Sequence, residues 1–291
     1  MTLTTLDPVS LVGLDRRASG PDRLLDRFLD NWTTSTEAQA TAHGGRSLRR
    51  DDVAAADLGR PADFTNIATL LAPLEPERMD GSMAVLDDFY GFSDGATTGA
   101  VYLFSPWPTP DLHGAGWERL GQPPLMLRPA GGEAPPPPRG LRIEEVRDAA
   151  VLRAFESVIV RGFSPSEDEA HVETGRPNRA ILADDRRRMW VGWEGDTPVS
   201  AAETFTATGV NDVTLVATAP EARRQGYGSA LTWRATLADP TLPSLLLASD
   251  EGRPVYERIG YRATVQFTLW RRERPAGRGV QATSATLDPA A

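Results

Sequence analysis

The segment that decides the fold runs from Val216 to Gly228 and reads VATAPEARRQGYG. Its apolar start predicts a buried strand, its proline predicts a turn, and its glycines predict the start of a helix. The first N–H groups of a helix have no partner inside it, and they lie at the positive end of the helix dipole. The segment therefore predicts a strand, a turn and a helix, with an anion site in the turn.

The residue types in this turn suit a pyrophosphate. Gly226 and Gly228 let the backbone approach a ligand closely, and Arg223 and Arg224 offer forked donors to phosphate oxygens. The Lys-Ser/Thr pair of a P-loop is missing. The third glycine of a dinucleotide-binding fingerprint would fall at Leu231, so the turn matches neither of these phosphate motifs.

A second motif follows further along the chain. Residues 249–261, after a strand-like stretch at 245–248, read SDEGRPVYERIGY. The spacing Arg223-x-x-Gly226-x-Gly228 resembles the Arg/Gln-x-x-Gly-x-Gly/Ala motif of the GNAT family of N-acetyltransferases. VYERIGY resembles that family's later Leu-Tyr-x-x-x-Gly-Phe motif. Both motifs stand in the family's order, so the chain is identified as a member by resemblance.

The resemblance implies a binding site for acetyl-CoA as cosubstrate. The strand before the turn would be splayed from its neighbour and would pair with the pantetheine arm, while the turn would hold the pyrophosphate. Tyr256 would protonate the leaving thiolate. Ser249 stands where many relatives have an asparagine. The cofactor-binding residues implied are Val216, Ala217, Thr218, Arg223, Arg224, Gln225, Gly226, Tyr227, Gly228, Ser229 and Ser249.

The general base is less clearly marked. Glu203 lies in a small, apolar predicted strand, and alternation could face it either to the cleft or to solvent. Asp212 is a second candidate, although Gly209–Asp212 reads as a turn. The arginines at 186–188 read as a solvated strand entry. Residues 164–176 lie where the family has its variable acceptor-binding loop.

The predicted fold class is α/β (α+β), with two GNAT-like domains that each have a mixed central sheet flanked by helices. Residues 129–140, PAGGEAPPPPRG, form a semi-rigid Pro-rich linker. We expect a degenerate GNAT-like domain at 1–128, the catalytic GNAT domain at 141–274 and a disordered tail at 275–291. Strands are predicted at 141–146, 189–193, 199–208, 213–218, 244–248 and 263–270, and helices near 148–162, 228–238 and 254–259.

The first half resembles a GNAT domain only near its end. Residues 116–121 and 124–128 resemble the family's closing turn and final strand, but no phosphate motif precedes them. The nearest glycines, Gly95 and Gly99, have no arginine beside them and no helix after them. Residues 83–89 can be read as helix or strand. We expect this half to shape the acceptor pocket or to replace a second subunit, in a monomer or homodimer.

Composition excludes several function classes. The chain has no cysteine, and its three histidines lie far apart, which argues against thiolate chemistry and a metal site. A net charge of −9 argues against nucleic-acid binding. No apolar run is long enough to span a membrane, and no signal peptide is evident, so we expect a cytoplasmic protein.

The predicted function is transfer of an acetyl group from acetyl-CoA to a primary amine of a small molecule, by direct attack. Two alternatives stay open at this point. One is a protein acetyltransferase that acts on lysine or an N-terminal amine. The other is a non-catalytic acyl-CoA-binding module.

Overall fold

The computed structural model describes residues 24–59, 66–92, 99–163 and 179–274. The helices are α1 (Leu24–Ala42), α2 (Pro76–Tyr90), α3 (Ala149–Phe163), α4 (Tyr227–Thr236) and α5 (Arg253–Ile259). The strands are β1 (Arg46–Arg49), β2 (Val53–Asp57), β3 (Asn66–Leu70), β4 (Gly99–Ser105), β5 (Glu118–Gly121), β6 (Pro124–Arg128), β7 (Leu141–Glu145), β8 (Arg187–Glu194), β9 (Thr197–Thr206), β10 (Asn211–Thr218), β11 (Ser244–Leu247), β12 (Arg262–Gln266) and β13 (Thr268–Arg274).

The strands form two sheets of similar topology. The N-terminal sheet has the order β1-β2-β3-β4-β13-β5, and the C-terminal sheet has the order β12-β6-β11-β10-β9-β8-β7. In each sheet three antiparallel strands are followed by a helix and a parallel strand: β1 to β3, α2 and β4 in the first, β8 to β10, α4 and β11 in the second. The prediction of a mixed α/β fold with two GNAT-like sheets is therefore confirmed.

Each sheet contains one strand from the other half of the chain. β6 lies between β11 and β12, and β13 lies between β4 and β5. The paired strands bury apolar side chains, among them Leu125 and Met126 of β6 and Trp270 of β13. This burial holds the exchanged strands in place. β6 lies within the predicted domain 1–128 but belongs to the C-terminal sheet. β13 lies within the predicted domain 141–274 but belongs to the N-terminal sheet.

Helices cover both faces of the C-terminal sheet. α3 packs on the face that carries Met189 and Val191, while α4 and α5 pack on the face that carries Trp190. α3 begins as predicted, because the Asp148 carboxylate accepts hydrogen bonds from the N–H groups of Ala150 at 2.7 Å and Val151 at 3.0 Å. The helix then buries its apolar stripe, Val151, Leu152, Phe155 and Val158.

Two local predictions are corrected, and one ambiguous segment is assigned. Asp212 lies in β10, paired with Phe205, and not in a turn, because the β9–β10 hairpin already closes at the pair Thr206 and Asn211. The predicted strand at 263–270 is two strands, β12 and β13, separated at the buried Phe267. The ambiguous residues 83–89 belong to α2. The acceptor loop at 164–176 and the tail from 275 lie outside the described residues.

Candidate functional site

The two central parallel strands of the C-terminal sheet separate from each other. β10 pairs with β11 only at Asn211 with Ser244 and at Asp212 with Leu245, although β10 continues to Thr218. On its other side β10 stays paired with β9 up to Thr218. Within the described residues, the β11-facing edge of β10 beyond Asp212 therefore borders an opening in the sheet. The backbone of residues 216–218 lies along this opening.

A β-bulge bends β10 at the opening. Leu215 and Val216 together face one residue of β9, between the pairs Thr214–Glu203 and Ala217–Ala201. Leu215 has a φ of +49°, which costs an L-residue about 1–2 kcal/mol. A bulge redirects side chains and ends regular pairing, and such strain concentrates at functional sites. This bulge was not predicted from the sequence.

The predicted phosphate turn begins where β10 ends. A 3₁₀ turn at Pro220–Ala222 leads to Arg224 and Gly226, which both have a left-handed backbone, with φ of +65° and +83°. Gly226 precedes the first residue of α4. A Cβ on Gly228 would lie 2.9 Å from the Thr218 hydroxyl oxygen, so only glycine lets α4 come this close to β10. The exposed turn thus presents a helix N-terminus at the end of the opening.

Two predicted binding side chains hold the turn in place. The Arg223 guanidinium donates hydrogen bonds to the backbone oxygens of Gly162, at 3.1 Å, and Thr218, at 3.4 Å. The Tyr227 ring is buried, and its hydroxyl donates a hydrogen bond to Glu194 at 2.9 Å, which raises the pKa of Tyr227. These two side chains fix the backbone of the turn, while Arg224 and Gln225 are exposed.

Tyr256 lies in α5 with its ring against the backbone of Gly252. A Cβ on Gly252 would lie 2.8 Å from Cε2 of the ring and 3.0 Å from its hydroxyl oxygen, so glycine makes room for the phenol. Burial raises the pKa of Tyr256 to about 12, which keeps the hydroxyl protonated and able to donate at neutral pH. Ser249 is exposed, and its hydroxyl accepts a hydrogen bond from the Gly252 N–H at 3.1 Å.

Glu203 lies in the interior and not at the surface. Its side chain is on the sheet face that α1 and α3 cover, with 1% of the residue exposed. It accepts hydrogen bonds from the Arg187 guanidinium and, at 3.2 Å, from the Thr214 hydroxyl. Burial raises the pKa of Glu203, and Arg187 opposes that shift. Arg187 is itself buried, so the interpretation of residues 186–188 as a solvated strand entry is wrong for this residue. Its alternation with the buried Met189 was the signal that could have shown this.

Asp212 lies on the same face as Glu203. It is 1% exposed, and neither carboxyl oxygen has a hydrogen-bond partner among the described residues. Burial, and then the nearby Glu203, raise the pKa of Asp212 well above its usual range. Both effects favour the protonated, neutral form of the Asp212 carboxyl group.

Other kinds of site find no support in the described residues. No group of three or more His, Asp or Glu side chains there could hold a metal ion. No helix in the same part of the chain is long and apolar enough to cross a membrane. A surface cavity of about 290 Å³ lies away from the predicted site residues, lined by Leu48, Arg50, Ala84, Val85, Asp88 and Phe89.

The chain is similar to known proteins in one part of its sequence and in its fold. Residues 166–268 match the model of the acetyltransferase (GNAT) domain. The structure resembles a GCN5-related N-acetyltransferase from Kribbella flavida, with a TM-score of 0.60 and 18% identity, covering 84% of this chain and 96% of that one. It also resembles a GCN5-related N-acetyltransferase from Sphaerobacter thermophilus (TM-score 0.54, 14% identity, 90% and 96% covered). A third match is a putative GNAT-family acetyltransferase from Novosphingobium aromaticivorans (0.52, 16%, 88% and 99%).

No curated protein matches the chain significantly in sequence. The C-terminal half of the chain carries an acetyltransferase (GNAT) domain, within residues 166–268, and the solved structures show the same fold.

Proposed function

We propose that the protein transfers an acetyl group from acetyl-CoA to a primary amine of a small molecule. The observation that carries this proposal is the opening between β10 and β11, which leads directly to the exposed N-terminus of α4. Such an opening can take up an extended arm, and such a turn can bind a pyrophosphate at one end of that arm. We expect a cytoplasmic enzyme, as the sequence predicts.

In this proposal coenzyme A lies along β10. The backbone of residues 216–218 pairs with the pantetheine amides as an added strand would, and the N–H groups of residues 224–229 bind the pyrophosphate. Arg223 contributes by holding the turn through its bonds to Gly162 and Thr218. We assign Ser249, whose hydroxyl accepts the Gly252 N–H before α5, to the same arm.

The chemistry needs one acid and one base. The amine nitrogen attacks the thioester carbonyl carbon, a C–N bond forms, and the C–S bond breaks. Tyr256, protonated because of its pKa of about 12, donates its proton to the leaving thiolate. The amine proton passes to the half-buried Thr214 hydroxyl, whose own proton moves to Glu203 at 3.2 Å.

The experiment measures thiol release from acetyl-CoA with a panel of primary amines, for the wild type and for Tyr256→Phe. We expect the substitution to lower kcat by about 100-fold or more while the affinity for coenzyme A stays unchanged. Tyr90→Phe is the matched control, because Tyr90 is also buried, lies in the N-terminal half and donates a hydrogen bond to the Ala56 carbonyl at 3.1 Å. It should retain activity.

Other outcomes would replace this function. Coenzyme A binding without turnover of any amine would support a non-catalytic binding module. Acetylation of peptides, with no small amine accepted, would support a protein acetyltransferase. Failure to bind coenzyme A would overturn the assignment of the turn itself.

A further inference from the structure

A continuous chain of contacts leads from the N-terminal half to the bulge in β10. The Arg187 guanidinium donates through Nη2 to the backbone oxygen of Ser35 in α1, at 3.0 Å, and to its hydroxyl, at 2.9 Å. Through Nη1 it donates to Oε1 of Glu203. The Thr214 hydroxyl donates to the same Oε1, at 3.2 Å, from the residue just before the bulge.

The position of Ser35 is fixed by separate contacts between α1 and the β9–β10 hairpin. The Asn31 amide donates to the Phe205 carbonyl at 3.0 Å and accepts from the Ala207 N–H at 2.7 Å. The Thr208 hydroxyl donates to the Arg27 carbonyl at 2.6 Å. Because the end of β9 and the first residues of the hairpin turn are bonded to α1, the helix cannot shift along the sheet without breaking these hydrogen bonds.

Arginine is the residue type that can make this connection. Its planar fork places two nitrogens in fixed directions, so one guanidinium can bind Ser35 and Glu203 at once. Arg187 and Glu203 are both almost completely buried, and a buried ion pair is favourable only when its geometry is well satisfied. The Phe205 ring, 5.1 Å from the guanidinium carbon, supports Arg187 from one side.

Other charged groups lie on the elements packed on this face. Asp212 of β10 interacts electrostatically with Glu203, and α3, which covers the face, carries the half-buried Glu156. In α1, Glu37 forms an ion pair with Arg49, at 3.8 Å. Arg187 is therefore the cation that acts on Glu203 among the described contacts, and its orientation decides how well the carboxylate keeps its charge.

We propose that Ser35 and Arg187 are positioning residues, through which the N-terminal half holds Glu203 against Thr214 for removal of the acceptor amine's proton. This role rests on the proposed acetyl transfer. The amine N–H proton moves to the Thr214 oxygen as the hydroxyl proton moves to Oε1 of Glu203. Ser35 and Arg187 do not touch the reacting atoms.

The test compares Ser35→Ala and Arg187→Lys with wild type. The first removes one of the two bonds that α1 makes to Arg187, and the second keeps the charge but loses the fork. We expect kcat to fall about threefold to tenfold in Ser35→Ala, and further in Arg187→Lys, with KM for acetyl-CoA unchanged. Arg187 lowers the pKa of Glu203, so the acidic limb of the kcat–pH profile should move to higher pH in both variants.

Thr41→Ala is the matched control, because the Thr41 hydroxyl also lies in α1 but bonds the Glu37 carbonyl of its own helix. Its pH profile should superimpose on that of the wild type. A general loss of stability would lower the melting temperature without moving the acidic limb. An unshifted limb in Ser35→Ala and Arg187→Lys, with normal wild-type turnover, would overturn the positioning role alone. Absence of wild-type turnover would overturn the proposed function and this role with it.

Discussion

The two halves of the molecule share one arrangement of strands and differ at the place where two parallel strands meet. In the N-terminal sheet β3 and β4 pair at three successive positions, up to Thr69 with Phe104, one residue before β3 ends. In the C-terminal sheet β10 and β11 pair at two positions, and β10 then continues from Val213 to Thr218 beside the opening. The C-terminal sheet, with its longer and bulged strand β10, can therefore admit an extended ligand between its parallel strands. The N-terminal sheet is closed at the corresponding place.

The turns that follow β3 and β10 also differ in how well they suit a phosphate. After β3 the chain reads LAPLE over residues 71–75, and Glu75 stands immediately before the first residue of α2. After β10 the corresponding position is Gly226. The negative charge of a carboxylate beside a helix N-terminus opposes the binding of a phosphate there. Among its described residues, the N-terminal half therefore shows neither part of the proposed coenzyme A site.

The largest expected effect concerns a buried carboxyl group in each half. Asp57 in β2 bonds the buried Arg274 of the exchanged strand β13, at 2.9 Å. Asp212 in β10 has no such partner among the described residues. We expect Asp57→Asn to lower the free energy of unfolding by about 3 kcal/mol or more, because the Arg274 charge loses this carboxylate. Asp212→Asn should cost little at pH 7. Urea unfolding measures both.

The pH dependence of the free energy of unfolding gives a second test of the contrast between Asp57 and Asp212. The pKa of Asp212 is raised in the folded state, so the folded protein keeps a proton that the unfolded chain releases above about pH 4. The stability linked to Asp212 is therefore complete at low pH and is lost as pH rises toward the folded pKa. Asp212→Asn should remove this decline above about pH 4. An identical decline in wild type and variant would contradict a neutral Asp212.

The next prediction distinguishes the effect of backbone strain on stability from an effect on ligand binding. Gly226 before α4 and Gly91 after α2 have φ of +83° and +65°. Valine at either position should lower the free energy of unfolding by about 1–2 kcal/mol, because L-residues are strained there. Only Gly226→Val should weaken coenzyme A binding, by about tenfold or more in Kd, as measured by calorimetry. An equal loss of binding in Gly91→Val would mean that the N-terminal half also takes part in binding.

The sequence predicted the parts of this comparison that depend on local spacing. It predicted the strand, turn and helix around Gly226, because each of them depends on neighbouring residues. It did not predict the exchange of β6 and β13, since pairing between strands that are distant in sequence leaves no local periodicity. We also looked for a phosphate turn near Gly95 and Gly99, whereas the corresponding turn in the fold is residues 71–75.

The buried contacts that lead from α1 to Glu203 were missed for a similar reason. Ser35 and Arg187 are far apart in sequence, and nothing near either residue indicates that they meet. The alternation of Arg187 with Met189 showed only which face of the strand it would occupy. The bulge at Leu215 depends on how β10 pairs with β9, which the apolar run from Val213 to Thr218 does not reveal.

The smallest expected effect concerns one glycine in each of the corresponding helices α2 and α4. It tests whether glycine is required there because a larger residue would not fit. A Cβ on Gly81 of α2 would point into open space, whereas a Cβ on Gly228 of α4 would lie 2.9 Å from the Thr218 hydroxyl oxygen. Gly81→Ala should therefore stabilise the protein by about 0.5–1 kcal/mol, since alanine loses less conformational entropy in a helix. In Gly228→Ala that gain should be offset, because Thr218 must move at the end of β10 beside the proposed coenzyme A site. Equal stabilisation of both variants, with unchanged coenzyme A affinity, would show that the close approach of α4 to β10 does not matter for binding.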